Sequence, residues 1–325
     1  MKAIITGDLH TEKGLRTNVV LSYIDYLTKY YFSNNIDYLF IDGDVFERSS
    51  NIKNESFIPL FLKFFKMKES GIKMIFILGN HDIMNVDNDS LVETFESFGT
   101  VVKKSLKMTI DDHDFYFQSY TKSKEDIPEN GEYLITHLSI ADFSFDNAYH
   151  MTEKNAFPRA YFENWKMVFT GHFHTHQHWN NICYVGSPYE VHRGEMGKPK
   201  GFVVLDTNRE KWDFVEYFDA PKFLVLKNED LLNLNKIDFK NKMVVVNISK
   251  KIKDYAKLRY ILFEKGAVEV ITDFISETTN QIGIIEKIKS MPKMEDIAKK
   301  GLLDSAPEEL DKKILEKIFN KAINE

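Results

Sequence analysis

Nearly continuous apolar runs, each ended by a polar or small residue, set the pattern of the first 80 residues. Residues 2–6, 37–41 and 74–78 form such runs, which predicts parallel strands buried on both faces. Between them, apolar residues recur at three- and four-residue spacing over residues 19–31 and 57–68, which predicts two helices. The order strand, helix, strand, helix, strand is typical of a right-handed βαβ series. The sequence therefore predicts an α/β fold.

Further strands are predicted along the rest of the chain. Residues 132–136 and 166–170 are two more buried runs, and residues 201–218 have the pattern of a hairpin. The composition changes near Pro221, and the pattern after this residue predicts three strands and one helix. The pattern at the carboxyl-terminal end predicts helices. We therefore predict three parts, which are residues 1–220, 221–285 and 286–325.

The charge of the chain is distributed unevenly, although the net value is −6. Residues 1–220 contain 23 Lys and Arg against 32 Asp and Glu, whereas residues 221–325 contain 20 against 17. The later segment is therefore the better surface for a polyanion such as DNA. An ordinary solvated face is the alternative interpretation of its lysines. The candidate DNA contacts are Lys240, Lys242, Lys250, Lys251 and Lys253.

Composition and cysteine content exclude several protein classes. The chain is 43% apolar and 28% charged, and it has no uncharged apolar run of about eighteen residues, so we expect no membrane segment. Met1 leads directly into the first strand, so we expect no cleavable signal peptide. Cys183 is the only cysteine, which excludes an internal disulfide and suits a reducing compartment. We expect a cytoplasmic protein.

Metal-binding side chains follow the predicted strands. They occur in the patterns Gly-Asp-x-His, Gly-Asp-x-Phe, Gly-Asn-His-Asp, a strand-end histidine, and Gly-His-x-His. Open α/β sheets bind ligands at the carboxyl ends of their strands, so we expect these groups to meet there. Within the first and last patterns the ligands are two residues apart, and extended backbone would point both the same way. The candidate ligands are Asp8, His10, Asp44, Asn80, His137, His172 and His174.

This donor set predicts a pair of divalent metals. Carboxylate, amide and imidazole groups suit Mn, Fe or Zn. Two metals that share a carboxylate, about 3.5–4 Å apart, activate water and neutralise the charge on phosphate, so phosphoester hydrolysis is the natural reaction. His81 is not needed as a ligand and is the candidate proton donor, with Asp82 as the group that fixes its tautomer.

The motif series resembles the calcineurin-like metallophosphoesterases. Within them, Gly-His-Phe-His-Thr followed by Tyr184-Val-Gly-Ser-Pro188 resembles the SbcD-type nuclease subunits of SbcC-SbcD DNA repair and recombination complexes, including phage-encoded versions. The resemblance implies a four-layer α/β sandwich for residues 1–220, a small α/β DNA-binding cap for residues 221–285, and a helical tail.

The resemblance also implies roles for the individual residues. One metal would be held by Asp8, His10 and His174, the other by Asn80, His137 and His172, with Asp44 bridging them and His81 and Asp82 catalytic. Mn is the expected metal, with Fe or Zn as alternatives. Many relatives have His or Asp three residues after the bridging aspartate, where this chain has Glu47, so the role of Glu47 is open.

Three partners are implied in the same way: double- and single-stranded DNA, a second copy of the chain, and an SbcC-type ABC ATPase. The chain has no Gly-x-x-x-x-Gly-Lys-Ser/Thr loop, so we expect any nucleotide to bind the ATPase. The tail would contact the ATPase through an apolar stripe that comprises Leu310, Ile314, Ile318 and Phe319.

The sequence thus predicts a Mn-dependent DNA nuclease, an exonuclease or endonuclease subunit of a complex that processes double-strand breaks. Two alternatives stay open. One is a phosphoesterase of the same fold that acts on a small substrate, and the other is a scaffold without catalytic activity.

Overall fold

The computed structural model describes residues 1–12, 14–144, 152, 156–227, 230–248, 255–274, 299 and 312–324. The chain divides into two units, Met1–Lys222 and Phe223–Glu325. The described strands are β1 (Lys2–Thr6), β2 (Tyr38–Ile41), β3 (Met74–Ile77), β4 (Thr100–Val102), β5 (Ser105–Ile110), β6 (His113–Gln118), β7 (Gly131–His137), β8 (Trp165–Gly171), β9 (Gln177–Trp179), β10 (Ile182–Tyr184), β11 (Gly201–Asp206), β12 (Lys211–Glu216), β13 (Lys222–Leu226), β14 (Lys242–Ile248) and β15 (Ala267–Phe274). The described α-helices are α1 (Leu15–Ser33), α2 (Asn54–Glu69), α3 (Tyr255–Glu264) and α4 (Lys312–Asn324).

Two six-stranded sheets form the first unit, which confirms the predicted mixed α/β sandwich. The first sheet has the order β12-β11-β1-β2-β3-β4, and the second has the order β5-β6-β7-β8-β10-β9. Strands β1 to β4 are parallel, as the βαβ pattern predicts, and the β11–β12 hairpin extends their sheet antiparallel to β1. In the second sheet β6, β7, β8 and β10 are parallel.

The sheets pack face to face because the central strands β1, β2 and β3 of the first sheet are apolar on both faces. Ile5, Phe40 and Ile75 point into the layer between the sheets, where Phe117 and Ile135 of the second sheet meet them. The alternate residues of the same strands point to the other face and pack beneath α1 and α2.

The outer face of the second sheet has a different cover. In the described part of the chain, Leu134 and Val168 pack there against loop residues such as Phe143 and against Phe162. The latter ends a short 3₁₀ turn at Arg159–Phe162. The fourth layer of the sandwich is therefore built from irregular segments and this turn over these residues.

The second unit contains a three-stranded sheet with the order β13-β14-β15. Strands β14 and β15 are parallel, and α3 connects them, with Leu258 and Leu262 packed on Val244 and Val246. The predicted boundary at residue 285 lies outside the described residues and stays a prediction. No helix of the described chain is both long enough and apolar enough to cross a membrane.

Phe40 tests the packing between the two sheets. It is fully buried, and its ring centroid lies 5.7 Å from that of Phe115 and 5.1 Å from that of Phe117. Phe40→Ala should lower the free energy of unfolding of this unit by about 3–5 kcal/mol, because it leaves a cavity that the sheets cannot close. Urea unfolding followed by tryptophan fluorescence measures this, since Trp165, Trp179 and Trp212 all lie in the first unit.

The matched control for this substitution is Phe218→Ala. Phe218 is 77% exposed, so its removal should change the unfolding free energy by less than about 0.5 kcal/mol. Equal effects of the two substitutions would contradict the proposed packing.

Candidate metal centre

The predicted ligands come from strand ends of both sheets. Asp8, Asp44 and Asn80 follow the neighbouring strands β1, β2 and β3, while His137 ends β7 and His172 follows β8. All seven predicted ligands belong to one group of polar side chains, because the three sets of neighbouring donors share His10 and Asp44, and Asn80 contacts His137. The expectation that these groups meet at one edge therefore agrees with the geometry.

The backbone that brings them together is not extended, contrary to the reasoning from alternation. Asp8, His10, Asp44 and His172 have φ values of 47°, 44°, 51° and 87°. Left-handed conformations of residues other than glycine are uncommon and cost about 1–3 kcal/mol each, and they concentrate at functional sites. The irregular backbone after the strands brings Asp8 and His10 together, whereas His172 and His174 join different groups of donors.

Gly79 explains how closely the chain segments approach. A Cβ atom at this position would lie 2.1 Å from Oδ1 of Asp44, a distance that no real contact permits. A larger residue here would push apart the β2 and β3 strand ends, which carry Asp44 and Asn80. The glycine of Gly-Asn-His-Asp is required by this approach.

One cluster contains Asp8, His10 and His174. Nε2 of His10 lies 2.9 Å from Nε2 of His174, and each of these atoms lies 4.0 Å from Oδ1 of Asp8. All three side chains are buried. Two imidazole nitrogens and a carboxylate oxygen thus converge on one point.

A second cluster contains Asp44, Asn80, His137 and His172. Nε2 of His137 lies 3.2 Å from Oδ2 of Asp44 and 3.3 Å from Oδ1 of Asn80, and His172 reaches the same group. Oδ2 of Asp44 also lies 3.6 Å from Nε2 of His10 in the first cluster. Asp44 therefore faces both clusters, which is the position that a bridging ligand needs.

Three of the histidines are anchored through Nδ1 and present Nε2 to the clusters. The Nδ1 partners are Oε2 of Glu47 for His10 at 2.8 Å, the carbonyl of Asp42 for His137 at 2.7 Å, and Oε1 of Glu195 for His174 at 2.7 Å. Such partners fix the tautomer and the ring orientation of metal-binding histidines. The buried oxygen and Nε2 donors, without any thiolate, fit a pair of divalent metals such as Mn, Fe or Zn.

The electrostatics of the clusters favour a positive charge. Burial opposes a charge on Asp44, but the surrounding histidines, His137 first, hold its pKa well below the usual range. Burial also opposes a charge on His137, yet the Asp44 carboxylate raises its pKa to about 10. Burial and the His137 charge lower the pKa of His172 to about 3, so its imidazole stays neutral. The His137 cation therefore balances the Asp44 carboxylate in this structure, and a metal ion would have to displace the His137 proton to bind there, whereas the imidazole of His172 is already neutral.

His81 lies at the edge of the clusters and is about one-third exposed. Its Nδ1 lies 2.6 Å from the carbonyl of Glu47, and its ring centroid is 4.9 Å from that of His10. A carbonyl only accepts hydrogen bonds, so Nδ1 is the donor and Nε2 is the atom that can gain or lose a proton. The side chain of Glu47 therefore anchors His10 and its backbone anchors His81, a double role that the sequence left open.

The structure corrects the role predicted for Asp82. Its carboxylate accepts hydrogen bonds from the backbone N–H groups of Val45, Phe46 and Gly79, at 3.0 to 3.3 Å, instead of orienting His81. Burial and the nearby Asp44 raise the pKa of Asp82 to about 7. Asp82 therefore holds the loop after Asp44 against the loop before Asn80.

Glu195 and Lys200 are buried residues of the site that sequence reasoning missed. Burial opposes the charge on Glu195, but His174 and Lys200 outweigh it and lower its pKa to about 2. A single glutamate and a single lysine in a loop give no periodic or motif signal, so only the fold reveals them. His192 is exposed, and its ring stacks beside that of His174 at a centroid distance of 5.4 Å.

The predicted DNA and ATPase contacts are only partly described. Lys240 is exposed and Lys242 is half-buried at the start of β14. On α4, Ile318 is 60% exposed and Phe319 is partly buried. Lys250, Lys251, Lys253 and Leu310 lie outside the described residues, and of Ile314 only the helical backbone is described. These contacts stay predictions.

Comparisons with known proteins agree with the site. The family model described as Calcineurin-like phosphoesterase matches residues 1–193. Exonuclease subunit 1 of Enterobacteria phage T4 is 23% identical over 240 residues, which cover 66% of this chain and 67% of that protein. A solved structure of a dimetal phosphatase from Danio rerio aligns over 63% of this chain and 91% of that chain, with 10% identity. The TM-score of this alignment is 0.40.

The position of Asp44 between the clusters predicts how metal binding fails. Asp44→Ala should weaken binding of both ions by at least about 100-fold, since loss of an outer partner alone costs about 10–100-fold. Asn80→Ala is the control and should lower the affinity for only one ion, because Asn80 contacts only the second cluster. Calorimetric titration of the chelator-treated protein with Mn²⁺ gives the number and affinity of the ions. Loss of a single ion in Asp44→Ala would contradict the bridging position.

Proposed function

The chain belongs to the calcineurin-like phosphoesterase family, and on this premise we propose that it is a Mn-dependent DNA nuclease that hydrolyses phosphodiester bonds at the two clusters. The observation that carries the proposal is the Asp44 carboxylate, which faces one cluster of nitrogen and oxygen donors on each side. The similarity to an exonuclease subunit of phage T4 favours DNA over a small phosphoester as the substrate.

The residues divide into two groups of ligands. Asp8, His10 and His174 would hold one ion, Asn80, His137 and His172 the other, and Asp44 both. When bound, two divalent ions supply positive charge beside the phosphate and lower the pKa of a water molecule that attacks it.

His81 is the proposed proton donor to the leaving oxygen. The side chain of His81 is partly exposed at the edge of the clusters, which allows contact with a substrate, and the hydrogen bond from Nδ1 to the Glu47 carbonyl directs Nε2 away from that anchor. Such a positioned acid contributes about 10²–10⁴-fold to the rate. The backbone N–H of His81 donates a hydrogen bond to Oδ1 of Asp44 at 2.9 Å, so His81 also supports the proposed bridging carboxylate.

We further propose that the chain works as a subunit. The T4 relative is named as one subunit of an exonuclease, and an SbcC-type ABC ATPase is the partner that the motif resemblance implies. A homodimer follows from the same resemblance. In the second unit, the exposed Lys240 and the partly exposed Lys242 are the proposed DNA contacts among the described residues.

The test of the nuclease activity uses His81→Ala. Cleavage of linear double- and single-stranded DNA with Mn²⁺ should fall by about 10²–10⁴-fold, while the calorimetric binding of two Mn²⁺ ions should persist because His81 is not a proposed ligand. DNA cleavage by the wild type should also fall steeply as salt rises, because each phosphate contact releases counterions.

A small chromogenic phosphodiester serves as the comparison substrate in that assay. Hydrolysis of this ester while the DNA stays uncleaved would reject the nuclease proposal in favour of a small-substrate phosphoesterase. If neither substrate is cleaved, with or without an added ATPase subunit, the scaffold interpretation is supported. Undiminished cleavage by His81→Ala would remove His81 from the mechanism.

The tail proposal predicts a separation of activities. A chain that ends at Pro292 should keep Mn-dependent cleavage, because every proposed ligand lies before residue 175, but it should lose capture by an SbcC-type ATPase in a pull-down. Ile318→Asp in the full chain is the finer variant, since this 60% exposed side chain on α4 can change without loss of a core contact. Capture that survives both changes would reject the tail as the binding segment.

A further inference from the structure

A buried ion pair lies behind His174. Glu195 is 2% exposed and Lys200 is 1% exposed, and Nζ of Lys200 lies 2.5 Å from Oε2 of Glu195. Oε1 of Glu195 in turn lies 2.7 Å from Nδ1 of His174. A chain of three charged or ionisable groups therefore leads from the protein interior to the first metal cluster.

Both members of the pair have all of their hydrogen-bonding capacity in use. Glu195 also accepts from the backbone N–H groups of Val191 and His192, each at 3.1 Å. Lys200 donates to the carbonyl of His174 at 2.8 Å and to Oγ of Ser187 at 2.9 Å. Such complete satisfaction is what makes a buried charged pair tolerable in a folded protein.

Stability alone does not explain this pair. A buried ion pair gains little or nothing over apolar residues of the same size, because desolvation of two charges offsets their attraction. By contrast, a carboxylate that accepts from Nδ1 of a metal-binding histidine fixes the ring and makes Nε2 a stronger donor. The geometry of Glu195 satisfies this second requirement.

A third metal ion is the competing explanation, since His174, His192 and Glu195 also lie within reach of one another. Such an ion would have to displace contacts that already occupy both oxygens of Glu195. The Lys200 ammonium already supplies the positive charge at this carboxylate. The trio is therefore better explained as a support for His174 than as a separate site.

We infer that Glu195 is a positioning residue for His174, which sets the affinity of the Asp8–His10–His174 cluster for its metal, and that Lys200 is the counter-ion that allows this carboxylate to be buried. The inference rests on the proposed metal site and extends it. It assigns positioning to Glu195 and charge balance to Lys200, so substitutions at the two residues should have different effects.

The experiment measures Mn²⁺ binding by calorimetry and the melting temperature of the same chelator-treated proteins. Glu195→Gln should weaken one of the two ions by about 10–100-fold and leave the other unchanged. Lys200→Met should lower the melting temperature, because it leaves a buried carboxylate without its counter-ion, but it should keep both affinities within about threefold of wild type.

The double variant Glu195→Gln/Lys200→Met separates positioning from stability. It contains no unpaired buried charge, so its melting temperature should lie above those of both single variants. The ion that Glu195→Gln binds more weakly should keep its lowered affinity in the double variant. The double variant also keeps the test decisive if a single variant fails to fold. The inference would be overturned if the double variant bound both ions with wild-type affinity. It would also be overturned if the loss of affinity simply followed the loss of melting temperature across the three variants.

Glu132→Gln is the matched control. Oε1 of Glu132 lies 2.6 Å from Nδ1 of His113 and 3.2 Å from Nζ of Lys166, the same chemistry as at Glu195 but away from the clusters. It should leave both ions unchanged. A wild-type protein that binds no Mn²⁺ would overturn the proposed function together with this inference. Three ions in the wild type, one of them lost in Glu195→Gln, would overturn the inference alone and support the third site.

Discussion

The arrangement of the candidate centre depends on one buried carboxylate, that of Asp44. Its Oδ2 faces the imidazoles of His10 and His137, and its Oδ1 accepts from the backbone N–H of His81. One side chain therefore connects the strand ends β1, β2, β3 and β7. Because it is fully enclosed, it cannot exchange these contacts for water, and its negative charge must be balanced by positive charge from both sheets or from bound cations.

The surrounding loops are built to hold that carboxylate in place. Asp82 fastens the backbone after Asp44 to the turn at Gly79, and the left-handed conformations of Asp8, His10 and Asp44 store strain that these hydrogen bonds offset. Anchors at the Nδ1 atoms of three histidines complete the support. The placement of the candidate ligands thus depends on these outer hydrogen bonds as well as on the strands.

The sequence predicted the strands and brought out the candidate ligands because both follow local rules. Apolar runs before Gly7, Gly43 and Gly79 locate the strand ends, and parallel pairing then brings Asp8, Asp44 and Asn80 together. It could not predict the function of Asp82, because the partners of that carboxylate depend on how two loops pack. Glu195 and Lys200 were missed for a similar reason: their importance comes from contact with His174, which lies 21 and 26 residues away from them in the chain.

The origin of the centre in two different sheets has a thermodynamic consequence. A ligand that needs donors from both sheets binds only while both are folded, so its binding energy opposes separation of the sandwich. At a free concentration of about 1,000 times the dissociation constant, one such ion adds about 4 kcal/mol to the unfolding free energy. The supply of metal in the cell would then govern how long the chain resists proteolysis, as well as how fast it reacts.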